Sequence, residues 1–338
     1  MRAHRDMYPG GARFAFTIFD DTDVATVENV RPFYRLVESL GMRITKTVWP
    51  VGCPEGSRDF SESDTLENPE YFAFVVDLQR RGFELAWHCA TMESSERART
   101  VAAMERFRAA FGAYPRLHAN HAFNRDNLYW GAGRLDDWLL RRLVRRAIGV
   151  PPEYFAGEDP TSPFWWGDLC AERIVYGRNL TFNEVDLMRC NPSMPYHDPA
   201  RPLIRAWFSA SDAENVDEFV TLLHPLAVER LAARGGLCIV ATHVGKGFVR
   251  DGEVDGRVRA VLEHLVACNG WFPAAGELLD WLSTQHGVRE LPKREWRTMQ
   301  WRWARDLVVR KLRSRIRRTI GNRRAAAPPS PLIPVRHD

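Results

Sequence analysis

The sequence predicts an α/β fold, specifically a distorted (β/α) barrel of about seven strands followed by a basic amphipathic helix. Apolar segments alternate with helical patterns along most of the chain, which favours a parallel sheet covered by helices. The first segment, residues 13–19, is apolar on both faces, as expected of a buried parallel strand. No Gly-x-Gly-x-x-Gly motif follows it, so the alternative of a doubly wound open sheet is weaker but stays open.

The first half of the chain repeats the order strand, helix. Gly41 ends the first helical pattern, because glycine readily adopts the left-handed conformation that closes a helix. Pro50 ends the second strand, because proline cannot donate a hydrogen bond to a neighbouring strand. The predicted strands cover residues 13–19, 42–49, 83–87 and 116–121, and the predicted helices cover 27–40, 69–81, 95–111 and 135–148.

The second half opens with an irregular stretch, residues 157–200, which is rich in Gly, Pro, Asn and aromatic residues. A connection this long indicates loops over a site. The strands predicted beyond it are 202–208 and 236–243, and the helices are 213–233, 255–268 and 276–284. The predicted organisation is a barrel over residues 1–291, a basic amphipathic helix over 292–322 and a disordered tail over 323–338.

The composition describes a folded chain of enzyme size. With 338 residues, 45% of them apolar, it can bury a large core, which excludes a disordered chain or a small disulfide scaffold. The six cysteines form no Cys-x-x-Cys pair, and neither a secretory signal nor a membrane-spanning run is evident. We therefore expect a cytoplasmic protein.

Charge is distributed unevenly. Residues 293–324 contain 13 Lys and Arg against two acidic residues, whereas the rest of the chain has 34 basic and 41 acidic residues. A basic amphipathic helix suits an anionic membrane surface at the inner membrane face. Packing of this helix on the protein's own acidic body is the alternative. Nucleic acid is not expected as a partner, because no recognition motif accompanies the basic run.

Polar residues follow several of the predicted strands, at the edge where parallel α/β folds place their active sites. Carboxylates with imidazoles are the ligands of a divalent metal such as zinc, with cobalt or nickel as alternatives. Alternatively, the acidic cluster caps the next helix and each histidine is an ordinary buried polar group. No Gly-x-Ser-x-Gly motif indicates a serine nucleophile, and Cys89 is only a weak candidate nucleophile. The strand-end residues are Asp20, Asp21, Asp23, His88, His118, Asn120, His121 and His243.

Four segments resemble polysaccharide deacetylases, the carbohydrate esterase family four. Residues 16–22 resemble that family's opening Phe-Asp-Asp-Gly motif, and residues 82–88 resemble the strand leading to its first metal histidine. Residues 239–243 resemble its late strand ending in histidine, and residues 270–280 its closing strand and helix. The resemblance spans roughly residues 13–285.

The resemblance implies metal-dependent removal of an N- or O-acetyl group from a sugar. It implies Asp20 as general base, His243 as general acid, and Asp21 and His88 as metal ligands. The family's next ligand position, four residues after His88, holds Met92 in this chain. His121 is the preferred substitute, because its strand end lies beside that of His88.

Other positions stay open as secondary candidates. Asp23, His118 and Asn120 are further possible site residues. Arg116 and Arg125 flank the place of the family's Arg-Pro-Pro-like segment, and which of them would orient the base stays open, with Arg116 kept as the candidate. Sugar stacking is one interpretation of the aromatic residues Trp130, Trp165 and Trp166, and core packing is the other. The predicted substrate is an acetylated precursor of a surface polysaccharide. The alternatives are a catalytically silent barrel that binds glycans or acts as a scaffold, and a metal hydrolase acting outside carbohydrate.

Overall fold

The computed structural model describes residues 8–151 and 153–325, with side chains described as far as Arg310 in the last helix. Most of the predicted tail, residues 326–338, lies outside the described residues. The strands are β1 Phe14–Asp20, β2 Thr45–Val48, β3 Glu84–Trp87, β4 Leu117–His118, β5 Tyr176–Phe182, β6 Tyr196–His197, β7 Ala206–Asp212, β8 Leu237–Thr242, β9 Val249–Arg250, β10 Glu253–Val254, β11 Gly270–Trp271 and β12 Arg289–Glu290.

Helices follow most of the barrel strands. The α-helices are α1 Val27–Ser39, α2 Pro69–Arg80, α3 Arg97–Phe111, α4 Trp138–Ile148, α5 Gly167–Arg173, α6 Val216–Leu222, α7 Pro225–Arg234, α8 Gly256–Ala267, α9 Ala275–His286 and α10 Lys293–Ala325. Three short 3-10 turns lie at Pro9–Gly11, Gly131–Arg134 and Leu187–Arg189. Within the described residues, none of the helices is both long and apolar enough to cross a bilayer.

Seven parallel strands close into a barrel in the order β1, β2, β3, β4, β5, β7, β8. Closure depends on β8, which pairs with β7 on one side and with β1 on the other. The β1 and β8 pairing is long, running from Ala15 opposite Leu237 to Asp20 opposite Thr242. Both strands are buried along nearly their whole length, as their apolar sequences predict. The predicted (β/α) barrel of about seven strands is confirmed.

Short strands complete the two ends of the sheet. β6 pairs antiparallel with β7, and β12 pairs with β6, so the segment that precedes the last helix is fixed to the barrel. β11 pairs with the first residues of β1. These additions make the barrel irregular, in agreement with the predicted distortion.

The largest difference from the sequence prediction lies in the stretch taken as irregular. It contains the whole of β5, a barrel strand, and helix α5. Gly177 explains why the pattern was hidden: a side chain there would meet Ile204 and Trp207, so close packing of β5 requires a residue of low strand propensity.

Three predicted boundaries are also corrected. The strand predicted at 202–208 lies at Ala206–Asp212. The helix predicted at 213–233 divides into α6 and α7 before Pro225, whose ring is accepted only in the first turn of a helix. The strand predicted at 116–121 shrinks to Leu117–His118, because the following residues turn into a loop.

The first half of α10 packs on the barrel. Trp296, Met299 and Trp303 are buried, and the side-chain oxygen of Gln300 accepts hydrogen bonds from the backbone N–H groups of Asp136 and Asp137. For the described side chains, the packing alternative of the sequence analysis is therefore the one observed. These apolar residues are not free to contact a membrane.

Candidate metal centre

Side chains from four parts of the barrel meet at the carboxyl ends of the strands. Asp23 follows β1, His88 follows β3, His121 follows β4 and His243 follows β8. The Nε2 atom of His88 lies 3.3 Å from Asp23 Oδ1, and the Nε2 atoms of His121 and His243 each lie 3.5 Å from Asp23 Oδ2. Asp23 is therefore the centre of the cluster.

The Nδ1 atom of each of the three imidazoles contacts a hydrogen-bond acceptor. Because Nδ1 faces an acceptor in all three rings, each Nε2 is directed toward Asp23. This arrangement is the usual one for metal-ligating histidines, whose second nitrogen is oriented by a neighbouring acceptor. The contacts are His88 Nδ1 with Ala119 O at 3.0 Å, His121 Nδ1 with Asn124 Oδ1 at 3.3 Å, and His243 Nδ1 with Glu214 O at 2.8 Å.

The cluster fits a tetrahedral metal ion. Potential ligand atoms of Asp23, His88 and His121 all lie within 4.8 Å of one another. Ligands at zinc-like bond lengths in a tetrahedron stand about 3.3 Å apart, close to the separations observed, whereas a charged N–H to carboxylate hydrogen bond is about 2.8 Å long. Asp23 Oδ1 is buried without a hydrogen bond of acceptable geometry. A buried carboxylate oxygen left without a donor suits coordination of a cation.

The charged groups of the cluster shift one another's pKa values toward the ionised forms. Burial alone would raise the pKa of Asp23, but its contacts with His121, His243 and His88 hold that pKa well below its usual value. Burial alone would lower the pKa values of His121 and His243, and the adjacent Asp23 carboxylate raises both. The site therefore favours an ionised carboxylate, as metal binding requires.

Asp21 lies beside the cluster and is paired with an arginine. Arg178 of β5 donates two hydrogen bonds to it, from Nη1 to Oδ1 at 2.9 Å and from Nη2 to Oδ2 at 2.6 Å. Burial would raise the pKa of Asp21, but Arg178, with His88 and His243, lowers it. Asp21, predicted as a metal ligand, is thus engaged by Arg178 and is not one of the clustered ligands.

Asp20 is directed away from the cluster. Its carboxylate is fully buried toward α1 and α2, where Oδ2 accepts hydrogen bonds from Tyr34 at 2.8 Å and Lys46 at 3.0 Å. Its Oδ1 accepts one from the Val244 N–H at 2.9 Å. Both oxygens are therefore occupied in the core, and the expected base does not face the site. The capping alternative also fails, because Thr26 caps α1.

His118 and Asn120 contact each other and are not part of the cluster. His118 Nε2 is 2.9 Å from Asn120 Oδ1, and Asn120 in turn bonds the backbone of Leu128. Burial lowers the pKa of His118 to about 3, so this ring is neutral. The pair supports the loop that carries His121.

Met92 is buried, and its sulfur accepts a hydrogen bond from the Ser61 N–H at 3.1 Å. The ring of His121 lies beside that of His88, with centroids 5.1 Å apart. Cys89 is fully buried, and burial raises the pKa of its thiol well above the usual value. The thiol is therefore unsuited to act as a nucleophile.

The remaining candidates are widely separated. Arg116 lies at the start of β4 and pairs with Asp280 of α9, at the opposite end of the barrel. Trp166 is fully buried, with its Nε1 donating to Asp126 O, so it packs in the core. Trp165 is half-buried and packs over Gly167. Trp130 is half-buried. It lies near the site, since its Nε1 donates to the carbonyl of Ala122, the residue after His121.

Sequence reasoning missed two residues of the site. Arg178 was overlooked because it lies in the strand taken as a loop. Trp49, the residue after β2, stacks near His88 with ring centroids 6.1 Å apart and contacts His121 edge-on at 5.2 Å. Its position as the last residue of a predicted strand was the available signal.

Comparisons with known proteins find only distant similarity. No family model and no curated protein matches the chain. Among solved structures, a probable polysaccharide deacetylase from Pseudomonas aeruginosa PAO1 is 12% identical, with a TM-score of 0.47 over 82% of this chain and 94% of that one. Puue allantoinase is 12% identical, with a TM-score of 0.47 over 82% of this chain and 93% of that one. These values assign no family, so the function is argued from the site.

Proposed function

We propose that this chain is a metal-dependent hydrolase that removes an N- or O-acetyl group from a sugar of a surface-polysaccharide precursor. The observation that carries the proposal is the convergence of Asp23, His88 and His121 within ligand distance of one another. Asp21, whose carboxylate is paired with Arg178, and His243 lie beside this group. They can serve as the base and the acid that hydrolysis requires. The choice of an acetylated sugar rests on the resemblance of the sequence motifs.

Asp23, His88 and His121 would hold the metal. Zinc fits this set best, since one carboxylate and two imidazoles are among its usual catalytic ligands and leave a position open, and cobalt or nickel would accept the same ligands. When bound, such an ion polarises the acyl carbonyl and acidifies a water molecule. Asp23 replaces Asp21 in the ligand set expected from the sequence.

Asp21 is the general base in this proposal, in place of Asp20. It lies close enough to His88 and His243 for their charges to act on it, and Arg178 keeps it ionised and fixes the orientation of its carboxylate. An ionised, oriented carboxylate can accept the proton of the attacking water. Asp20 is fully buried away from the cluster, where its oxygens are bonded to core groups, so it cannot reach a water molecule at the site.

His243 is the general acid. Its Nδ1 is bound to the Glu214 carbonyl, so the proton available to a substrate is on Nε2, which faces the site. Burial alone would lower the pKa of this ring, but the carboxylates of Asp23 and Asp21 raise it, which favours the protonated form. It can then donate a proton to the departing sugar nitrogen or oxygen.

The half-buried Trp130 is the best candidate for stacking on a sugar, because it lies beside the loop of His121. Trp165 remains a weaker candidate, and the buried Trp166 is withdrawn from the substrate-binding role. A cytoplasmic enzyme working at the inner membrane face would meet such precursors as they are made.

Metal analysis tests the proposal. We expect about one zinc, cobalt or nickel ion per wild-type chain, and loss of the ion in the folded variants Asp23→Ala, His88→Ala and His121→Ala. Asp20→Asn and Met92→Leu are the matched controls and should retain the ion when folded. Release of acetate from acetylated sugars should follow the metal content.

Failure has two distinct forms. Metal that persists in all three folded ligand variants would refute the assigned site. A wild-type protein that binds no metal and releases no acetate would favour the silent glycan-binding barrel.

A further inference from the structure

Helix α4 exposes apolar side chains to solvent. Trp138 is 71% exposed, Leu143 52% and Leu139 37%, while Leu140 and Val144 on the other side of the helix are buried. Scattered exposed apolar residues are ordinary, but three on one face of a single helix indicate an interaction surface.

The same helix is strongly basic. Its sequence contains four arginines and no acidic residue, and among the described residues none of these guanidinium groups forms an ion pair. Trp138 and the four arginines line one shallow surface. Arginines on a helix that also exposes Trp and Leu side chains are typical of the composition of helices that lie in a membrane interface. The arginines are Arg141, Arg142, Arg145 and Arg146.

The outward side of α10 extends this surface. Trp301 is 41% exposed, and its Nε1 donates to Asp137 Oδ2 at 3.2 Å. Asp137 also caps the start of α4, so the exposed Trp138 and Trp301 both adjoin it. Arg297 lies 4.0 Å from the same carboxylate, with a side chain that is 73% exposed.

We propose that the lipid-docking face, formed by the exposed side of α4 with Arg297 and Trp301, binds the surface of an anionic lipid bilayer. The arginines would contact lipid phosphates, and Trp138, Leu139 and Leu143 would enter the interface. This face is centred on α4 and includes only Arg297 and Trp301 from the basic segment 293–324, in which Trp296, Met299 and Trp303 are buried against the barrel.

A bilayer fits the face better than other partners do. Nucleic acid would match the arginines but would leave Leu139 and Leu143 without an apolar partner. A symmetric contact between two copies would bring two sets of four unpaired arginines together, which like-charge repulsion opposes. Of these three partners, the anionic lipid surface is the one that supplies both negative charge and apolar material to the face.

The lipid-docking face is linked through Trp130 to the loop that carries His121. Arg141 and Arg145 line a cleft with Trp130, whose indole donates to Ala122, adjacent to His121. A docked protein would therefore hold the site close to the membrane. The inference is independent of the proposed chemistry, because its test measures binding alone.

Cosedimentation of the full chain with lipid vesicles tests the face. We expect binding to an equimolar mixture of phosphatidylcholine and phosphatidylglycerol, little binding to phosphatidylcholine alone, and weakening by added salt. Each interfacial arginine contributes about a fivefold change in affinity, so Arg142→Gln with Arg146→Gln should weaken binding about 25-fold. Trp138→Ser should weaken it several-fold at all salt concentrations.

Matched controls come from exposed positions on other helices. Arg35→Gln with Arg80→Gln removes the same charge from α1 and α2, and Phe72→Ser removes an exposed aromatic side chain from α2. Circular dichroism and melting temperatures confirm that the variants fold. The proposal is overturned if the wild type does not bind anionic vesicles, or if the α4 variants and the controls lose binding equally. It is also overturned if the α4 variants retain vesicle binding but lose binding to duplex DNA or lose self-association.

Discussion

Arg178 of β5 holds Asp21 through two hydrogen bonds of 2.9 and 2.6 Å across the mouth of the barrel. Both side chains are nearly buried, so the guanidinium and carboxylate attract each other strongly and share one planar geometry. The pair fixes an ionised carboxylate next to the three-ligand cluster. In the proposed reaction, Arg178 is a positioning residue and Asp21 accepts the proton.

Replacing Arg178 should change the pH dependence of activity. Without the positive charge of Arg178, the pKa of Asp21 should rise. Because the base must be ionised, the acidic limb of the kcat/KM profile of Arg178→Gln should move to higher pH. Arg116→Gln, which breaks an arginine–aspartate pair at the other end of the barrel, is the control. An unchanged acidic limb in folded Arg178→Gln would remove Asp21 from the role of base.

Asp20 and Lys46 should contribute to stability and not to chemistry. Removing one member of a buried ion pair costs about 3–5 kcal/mol, because the other charge is left without a partner. We expect this loss for Asp20→Asn in urea unfolding. Recovery of much of it is expected in the double variant Asp20→Asn with Lys46→Met. A stable Asp20→Asn protein with no activity would instead return the catalytic role to Asp20.

Asp126 should make stability depend on pH. Burial raises its pKa from 3.8 to about 6, so the folded protein binds this proton more tightly than the unfolded chain does. Its contribution to the free energy of unfolding is fully present below pH 3.8 and is lost as the pH rises to about 6. Asp126→Asn should therefore be more stable than the wild type at neutral pH, by up to about 3 kcal/mol.

Chemical denaturation at pH 4 and pH 7.5 measures this difference. The exposed Asp251→Asn serves as the control and should not change the pH dependence. The same pH dependence in Asp126→Asn and the wild type would contradict the assignment.

Substitution of two tryptophans of α10 should distinguish a side chain packed in the core from one at the surface. Trp303 is 5% exposed and its ring faces the guanidinium of Arg134, whereas Trp301 is 41% exposed. Trp303→Ala should lower the free energy of unfolding by about 3–5 kcal/mol, and Trp301→Ala should change it by less than about 0.5 kcal/mol. Thermal unfolding measures both. Equal effects would show that the start of α10 does not belong to the folded core.

Much of the barrel could be predicted because its strands carry strong local signals. Phe14–Asp20 and Leu237–Thr242 are continuous apolar runs, and such runs predict buried parallel strands wherever they occur. β5 could not be predicted in this way, because its pattern is interrupted by Gly177, Arg178 and Asn179. The glycine is required for close packing and the arginine for the site, and both requirements come from distant parts of the chain.

The sequence by itself determined the fold class and the edge of the sheet at which carboxylates and imidazoles gather, since both follow from local apolar patterns and strand ends. Only the tertiary structure decided the different environments of Asp20, Asp21 and Asp23. Asp20 lies opposite Lys46 in the register of β1 and β2, so the two charges pair in the core beneath α1 and α2. Asp21 and Asp23 lie beyond the strand, where Arg178 and the three histidines reach them. Pairing between charges that are far apart in the chain depends on strand register and closure, and a local sequence pattern contains neither.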